Sequence, residues 1–350
     1  MIKLFKLCKL SILLCAWLVC ITLYGQQKKY SIVFYNVENL FDVDDDEGVI
    51  DEEFLPQGSY KWTEERYRAK LDRLADVFYK IAAATSGYPI VIGVSEIENR
   101  DVLQDLASQE KLAPAGYRIA HFDSPDLRGV DVAFFYRPDV LQQVESRPIR
   151  VIMPDDSAFL TRDILHLSAM IAEEKFHFFV NHWPSRRGGQ QSSESKRMTA
   201  AKILRRTTDS IAAVEPDANI VIMGDLNDDP TDKSIAKVLG AKGTLKDLTH
   251  GDLFNPMYAL FKAGYGTLAY RDTWNLFDNI IVNANLVNGQ PGRFQVYRPN
   301  KHKYYAFIFN KPFLTEQEGR YKGYPLRTYS GTTYQGGYSD HFPVYLSIIK

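Results

Sequence analysis

Residues 165–182 read Leu-His-Leu-Ser-Ala-Met-Ile, Ala-Glu-Glu-Lys, Phe-His-Phe-Phe-Val, Asn-His. Leu165–Ile171 and Phe176–Val180 are strand-like, and the short polar link Ala172–Lys175 between them is a hairpin signal. Working outward, Tyr30–Val37, Tyr117–His121, Val130–Tyr136, Arg150–Met153 and Val344–Ile348 also read as strands, and Ile90–Val94, Ile220–Met223 and Asn279–Val282 as buried ones. Helical patterns are fewer. Leu71, Leu74, Phe78 and Ile81 fall on one face after Thr63, and Arg100–Ser108 and Ser193–Val214 are the other two. Strands that follow one another directly argue against a purely βαβ doubly wound fold and for two sheets flanked by helices. Gly289–Gly337, rich in Tyr, Lys, Gly and Pro, reads as a loop-rich insertion, and no composition shift marks a domain boundary.

The chain has 350 residues, 45% hydrophobic and 24% charged, which excludes a disordered or collagen-like protein. Its 42 basic and 43 acidic residues give a net charge of −1, which excludes a polycationic coat for nucleic acid but not a local basic groove. Cys8, Cys15 and Cys20 all lie in the first twenty residues. There Lys3, Lys6 and Lys9 precede the apolar run Ser11–Leu23, so residues 1–25 read as a secretory signal cleaved at Gly25-Gln26. The run is short for a spanning anchor, and Val19 disfavours a lipoprotein tether at Cys20. Export to the periplasm or beyond is therefore expected. The mature chain, residues 26–350, would hold no cysteine for a disulfide, thiolate site or nucleophile, and 39 basic against 43 acidic residues would leave it at −4.

Polar residues gather where the apolar strands end: Asn36-Val37-Glu38, Ser95-Glu96, Asn181-His182, Gly224-Asp225-Leu226-Asn227, and Ser339-Asp340-His341 before the last strand. Strand edges are rigid platforms, so a constellation built there is preorganised. Carboxylate and amide oxygens are hard ligands that suit magnesium or manganese, and imidazoles can donate to phosphoryl oxygens. The set fits metal-assisted attack of water on phosphorus. Without a cysteine or a Gly-x-Ser-x-Gly elbow, covalent acyl transfer has little support.

In order along the chain, Tyr35-Asn36-Val37-Glu38, Val94-Ser95-Glu96, Asn181-His182-Trp183-Pro184, Gly224-Asp225-Leu226-Asn227, Phe277-Asp278-Asn279-Ile280 and Ser339-Asp340-His341 resemble the endonuclease/exonuclease/phosphatase superfamily. The resemblance runs from about Tyr30 to the C-terminus. It implies a four-layer α/β/β/α sandwich of two mainly antiparallel sheets. Glu96 resembles the principal magnesium ligand, with Asn36 and Asp340 completing or supporting the site. Glu38 stands where one branch has an aspartate. Asp225 would position or deprotonate the attacking water, and Asn227 would hold phosphate or nucleophile. His341 would contact the phosphoryl oxygen with Asp278 behind it, and His182 would be a hydrogen-bond donor or general acid. Ser95 and Tyr35 depart from the commoner glutamine and tryptophan without touching a charged role.

Ser185-Arg186-Arg187-Gly188-Gly189 is the clearest local basic patch; Arg186 and Arg187, with Arg128, are candidate substrate contacts. The acidic run Asp42–Glu53 lacks the ligand spacing of a calcium loop and reads as solvated. Tyr304, Tyr305, Phe307 and Phe309 read as packing residues rather than a base-stacking platform. The expected function is an exported magnesium- or manganese-dependent phosphodiesterase, foremost a nuclease acting on nucleic acid. The same machinery on a phospholipid or small phosphoester is the alternative, and an idle binding module on the same fold is a further one. No stable protein partner is expected, and the chain is expected to be a monomer.

Overall fold

The computed structural model describes residues 28–156, 158–300 and 302–350. The expected signal segment and its three cysteines lie outside the described residues. No described helix is long and apolar enough to cross a membrane.

Two seven-stranded sheets carry the fold, their strands numbered in chain order. The first runs β14 (Gln295–Val296), β18 (Val344–Ile349), β1 (Lys29–Leu40), β2 (Val91–Ile97), β4 (Asp131–Tyr136), β3 (Arg118–His121), with β15 (Ala306–Ile308) also on β18. The second runs β5 (Gln142–Ile149), β6 (Ile164–Ile171), β7 (Glu174–His182), β8 (Asn219–Asp225), β13 (Asp278–Asn283), β10 (Leu253–Phe254), β9 (Ala241–Lys242). Both sheets are mixed. β1–β2, β7–β8 and β9–β10 pair in parallel, and the other pairings are antiparallel. Two small hairpins stand apart, β11 (Leu268–Tyr270) with β12 (Thr273–Asn275), and β16 (Tyr329–Ser330) with β17 (Thr333–Tyr334).

Alternation along the central strands builds the layers, because successive side chains leave opposite faces. Ile32 and Phe34 of β1 join Val180, Met223 and Ile280 in the core between the sheets. Val33 and Tyr35 face the other way, onto Leu71, Leu74 and Phe78 of α1 (Glu64–Ala84) and Leu103 and Leu106 of α2 (Arg100–Ala107). On the second sheet Phe179, Ile220 and Ile222 pack under Ala200, Ala201 and Leu204 of α3 (Gln190–Val214). The layers approach closely at Gly93, where a Cβ would lie 2.5 Å from the Met223 sulfur. The expected sandwich of sheets between helices is the one found.

Two expectations change. Arg150–Met153 is not a strand beyond a single bridge from Met153 to Asp156; its Val151 and Met153 are buried with α3. The strand is Gln142–Ile149, a largely exposed sheet edge with Pro148 in it, where little burial leaves little apolar pattern to read. The segment Gly289–Gly337 is not only loop: it supplies β14 and β15 to the edge of the first sheet and the β16–β17 hairpin. Phe307 stacks on Tyr345 of β18 at 5.3 Å and Phe309 is buried, so these aromatic residues are packing.

Candidate active site

Each sheet contains one β–α–β crossover, β1–α1–β2 in the first and β7–α3–β8 in the second. Parallel strands end at the same edge, which places Asn36 beside Ser95 in register and His182 beside Asp225. Antiparallel neighbours begin there, so Asp278 pairs directly with Asp225, and His341 precedes β18 at the end of β1. The strand pairing therefore draws residues more than 300 positions apart to one edge.

Local backbone then aims them. The ladder is interrupted between Asn36 and Leu40 and between Ser95 and Ile97, which are bulges of the kind that redirect a side chain. Glu38, Asn39, Glu96 and Asn227 all take left-handed φ, between 49° and 64°. None is glycine, so each stores local strain that the packing must hold. Asn99 caps α2 by accepting from Asp101 N and Val102 N, fixing the chain just beyond β2. Gly224 permits the close approach of β7 and β8: a Cβ there would sit 2.3 Å from the Asn181 carbonyl oxygen.

Asn36 is the hub. Its Nδ2 donates to Glu96 Oε1 at 3.2 Å and Asp225 Oδ2 at 3.1 Å, while its Oδ1 accepts from the Glu38 backbone N–H. Glu96 Oε2 accepts from Asn39 N. Ser339 donates to the Asn36 carbonyl at 2.7 Å and accepts from His341 N, tying the Asp340-His341 corner to β1. His341 Nδ1 meets Asp278 Oδ2 at 2.7 Å, and its Nε2 lies 3.9 Å from Asp225 and 3.8 Å from Asp340. His182 Nε2 lies 3.6 Å from Asp225 Oδ2 and 3.8 Å from Glu96 Oε1. Asn227 N donates to Asp225 Oδ1, and its side-chain amide donates to Trp183 O. Asn181 is spent internally, on Met223 O and Trp183 Nε1.

The two histidines differ in charge. Burial pulls His341 down, but the Asp278 carboxylate and its hydrogen bond, with Asp340 and Asp225, outweigh it and hold the imidazolium well above the ordinary histidine range. Burial pushes His182 well below that range, helped by Arg162, Arg128 and the His341 charge. Burial also raises Asp225 to about 7, against the lowering pull of His341, and raises Glu38 to about 7, with Asp340 adding to it. Such opposed shifts separate acid from base roles within one site.

The candidate ligands Asn36, Glu38, Glu96 and Asp340 present only oxygen donors, the chemistry of a hard divalent cation rather than zinc. Asp225, Asp278 and His341 also bring ligand atoms within 4.8 Å of one another, and Asp278 Oδ1 is buried without a hydrogen-bond partner. The oxygen donors of Asn36, Glu38, Glu96 and Asp340 fit magnesium or manganese, with His341 held as an imidazolium outside the ligand set. One Glu38 oxygen is already taken by Thr328 N at 2.6 Å.

The structure adds residues that sequence reasoning missed. Lys70 is fully buried, donating to Thr328 Oγ1 and Tyr338 O; burial lowers its ammonium to about 8 although Glu38, Asp340 and Glu96 pull the other way. Lys70 precedes Leu74 by one helical turn, so the α1 pattern already placed it on the inward face. Arg162 donates to the His182 and Trp183 carbonyls and to Asp126. Arg327 donates to Asp340 Oδ2 at 3.0 Å.

Of the expected basic contacts, Arg128 is exposed, 3.6 Å from Asp126, and near enough to His182 to act on its charge. Arg187 is exposed as well. Arg186 departs from expectation. Its Nη2 lies 2.6 Å from Asp232, 3.1 Å from Asp228 and 3.4 Å from Asp229, and the guanidinium covers the Phe277 ring. Three carboxylates 42 to 46 residues downstream claim it. A larger cavity, about 520 Å³, lies towards the opposite end of β7, lined by residues including Arg147, His166, His177 and Glu215, and contains none of the residues above.

Among solved structures the fold matches D. rerio TDP2 complexed with a single-strand DNA product, with TM-score 0.54, 16% identity and coverage of 92% of this chain and 99% of that one. It matches the human nocturnin catalytic domain with bound sulfate, with TM-score 0.52, 15% identity and coverage of 93% and 98%. A Bacteroides thetaiotaomicron mannosyl-6-phosphatase matches with TM-score 0.50, 15% identity and coverage of 92% and 100%. A comparison with curated protein sequences finds no match. The profile described as "Endonuclease/Exonuclease/phosphatase family" matches residues 31–350, and the chain belongs to that family.

Proposed function

We propose that the protein is a divalent-cation-dependent phosphodiesterase of nuclease type, which cleaves P–O bonds by in-line attack of water without a covalent enzyme intermediate. The observation that carries this reading is the convergence of Asp225, His341 and Asp278 with Asn36 and Glu96 at one strand edge. Asn36, Glu38, Glu96 and Asp340 would hold the cation, which when bound supplies charge neutralisation for the phosphoryl oxygens. Asp225, with a pKa near neutrality, takes the proton of the attacking water; Asn36 and the Asn227 backbone fix both its oxygens. His341, charged and braced by Asp278, donates from Nε2 to a phosphoryl oxygen. His182 stays neutral, so it serves as a hydrogen-bond donor rather than a general acid, and the departing oxygen takes its proton from solvent water.

Within the nuclease reading, the internal engagement of Arg186 favours a short nucleic-acid substrate over a long one, because it removes one cation that a phosphate backbone would use. The reading includes export, resting on Lys3, Lys6, Lys9 and the apolar run Ser11–Leu23. A magnesium-supplemented panel of plasmid DNA, RNA, a bis-aryl phosphodiester and sphingomyelin tests it. Hydrolysis abolished by EDTA and restored by magnesium is expected. Inertness towards every substrate, or full activity in chelator, overturns it.

A further inference from the structure

Beside Asp340 lies a second feature, a cavity of about 330 Å³. The β11–β12 hairpin forms one wall and the segment Glu316–Arg327 the other. Tyr270 and Tyr321 present unusually open rings, 62% and 51% exposed. Tyr324 also lines it, with its ring 5.3 Å from Trp274 and its hydroxyl donating to Asp272 Oδ1. Arg271 lies over the Tyr270 ring and Arg320 over that of Tyr321, at 5.2 and 5.6 Å. Arg320 is tied to Asp272 at 2.8 Å. The turn residues Arg271 and Asp272 both take left-handed φ, 49° and 61°, as a tight two-residue hairpin turn requires.

Three properties select the occupant. The cavity is flanked by flat faces, tyrosine rings and guanidinium planes, which suit a planar ring. Its formal charges cancel, Arg271, Arg320 and Arg327 against Asp272, Glu316 and Asp340. A second phosphate would meet three carboxylates there, whereas a neutral heterocycle would find both donors and acceptors. Its size suits one ring system rather than a run of them. Asp340, itself one of the candidate cation ligands, is part of its lining and is paired there with Arg327.

We propose that this cavity is a nucleobase pocket, which takes the planar ring of a short nucleotide ester whose phosphate lies at the Asp225–His341 centre. The proposal rests on the phosphoesterase reading above and narrows its substrate. Tyr270 and Tyr321 are specificity residues; neither touches the reacting atoms.

The test is equilibrium binding by calorimetry, in magnesium, of a nucleoside 5′-monophosphate, ribose 5-phosphate and mannose 6-phosphate to the wild type and to Tyr270→Ala/Tyr321→Ala. Stacking one base predicts roughly tenfold or tighter binding of the nucleotide than of ribose 5-phosphate. The double variant should erase that difference and leave ribose 5-phosphate unchanged. Equal affinities, no measurable nucleotide binding, a preference that survives the double variant, or tyrosine-dependent binding of the hexose phosphate in excess of the nucleotide each overturns the pocket. Turnover of the four-substrate panel above by the same preparations reads the hydrolase separately. Activity without base preference refutes only the pocket, and base preference with inertness towards the whole panel refutes only the hydrolase.

Discussion

Asp278→Asn removes one charge and keeps the shape of the side chain. Asp278 Oδ2 lies 2.7 Å from His341 Nδ1, with both groups buried. A hydrogen bond to a charged group contributes about 1.5–3 kcal/mol. If His341 supports the transition state as an imidazolium, the variant should lose about 10- to 150-fold in kcat, at about 1.4 kcal/mol per decade, with KM little changed. Asp340 and Asp225 remain, which keeps the loss short of complete. The same change should lower the His341 pKa, because burial persists when its main counterweight has gone. A raised histidine pKa contributes stability that is full below the unfolded value and is lost as pH rises through the folded one. The gap in Tm between wild type and variant should therefore be widest in mild acid and should close at alkaline pH. Steady-state kinetics on a bis-aryl phosphodiester across pH, with NMR titration of the imidazole in metal-free protein, measures both. An unchanged kcat together with an unshifted imidazole would refute the reasoning.

Gly224→Ala places a methyl 2.3 Å from the Asn181 carbonyl, so β7 and β8 must spread at the ends that carry His182 and Asp225. A destabilisation of about 1–3 kcal/mol and at least a tenfold fall in kcat are expected, and unaltered Tm and kcat would contradict the packing argument. Arg186→Ala should lower Tm by releasing Asp228, Asp229 and Asp232 while leaving the salt dependence of substrate binding as it was. A flattened salt slope with an intact Tm would return Arg186 to the substrate. Arg128→Ala, by contrast, should weaken kcat/KM severalfold without loss of stability, and an unchanged kcat/KM would place Arg128 outside the cleft.

The strand-end polar residues are legible because each flanks an apolar run, and an apolar run bounded by Asn, Glu, Asp or His marks where burial gives way to a cleft. The sandwich followed from strands adjacent in sequence. Other parts left no local trace. Lys70 sits on an apolar helix face, but its partner Thr328 is 258 residues away, and nothing near Lys70 announces that partner. The left-handed backbone at Glu38 and Glu96 is imposed by bulges that depend on neighbouring strands, and neither residue is a glycine that would signal it. Arg186 looked free because a local window shows its arginine neighbour and not the aspartates that claim it. The tyrosine-walled cavity lies in a region whose short strands carry too few residues for a period.

The candidate site residues are shared between the layers: Asn36 and Glu96 come from one crossover unit, His182 and Asp225 from the other. Neither unit alone can assemble even the Asn36–Asp225 hydrogen bond. Under the proposed function, turnover would report sheet docking, and the close approach of Gly93 and Met223 would set its alignment. During refolding, helical and strand signals would then return before hydrolysis, and the first hydrolysis would date the moment when the two layers lock together.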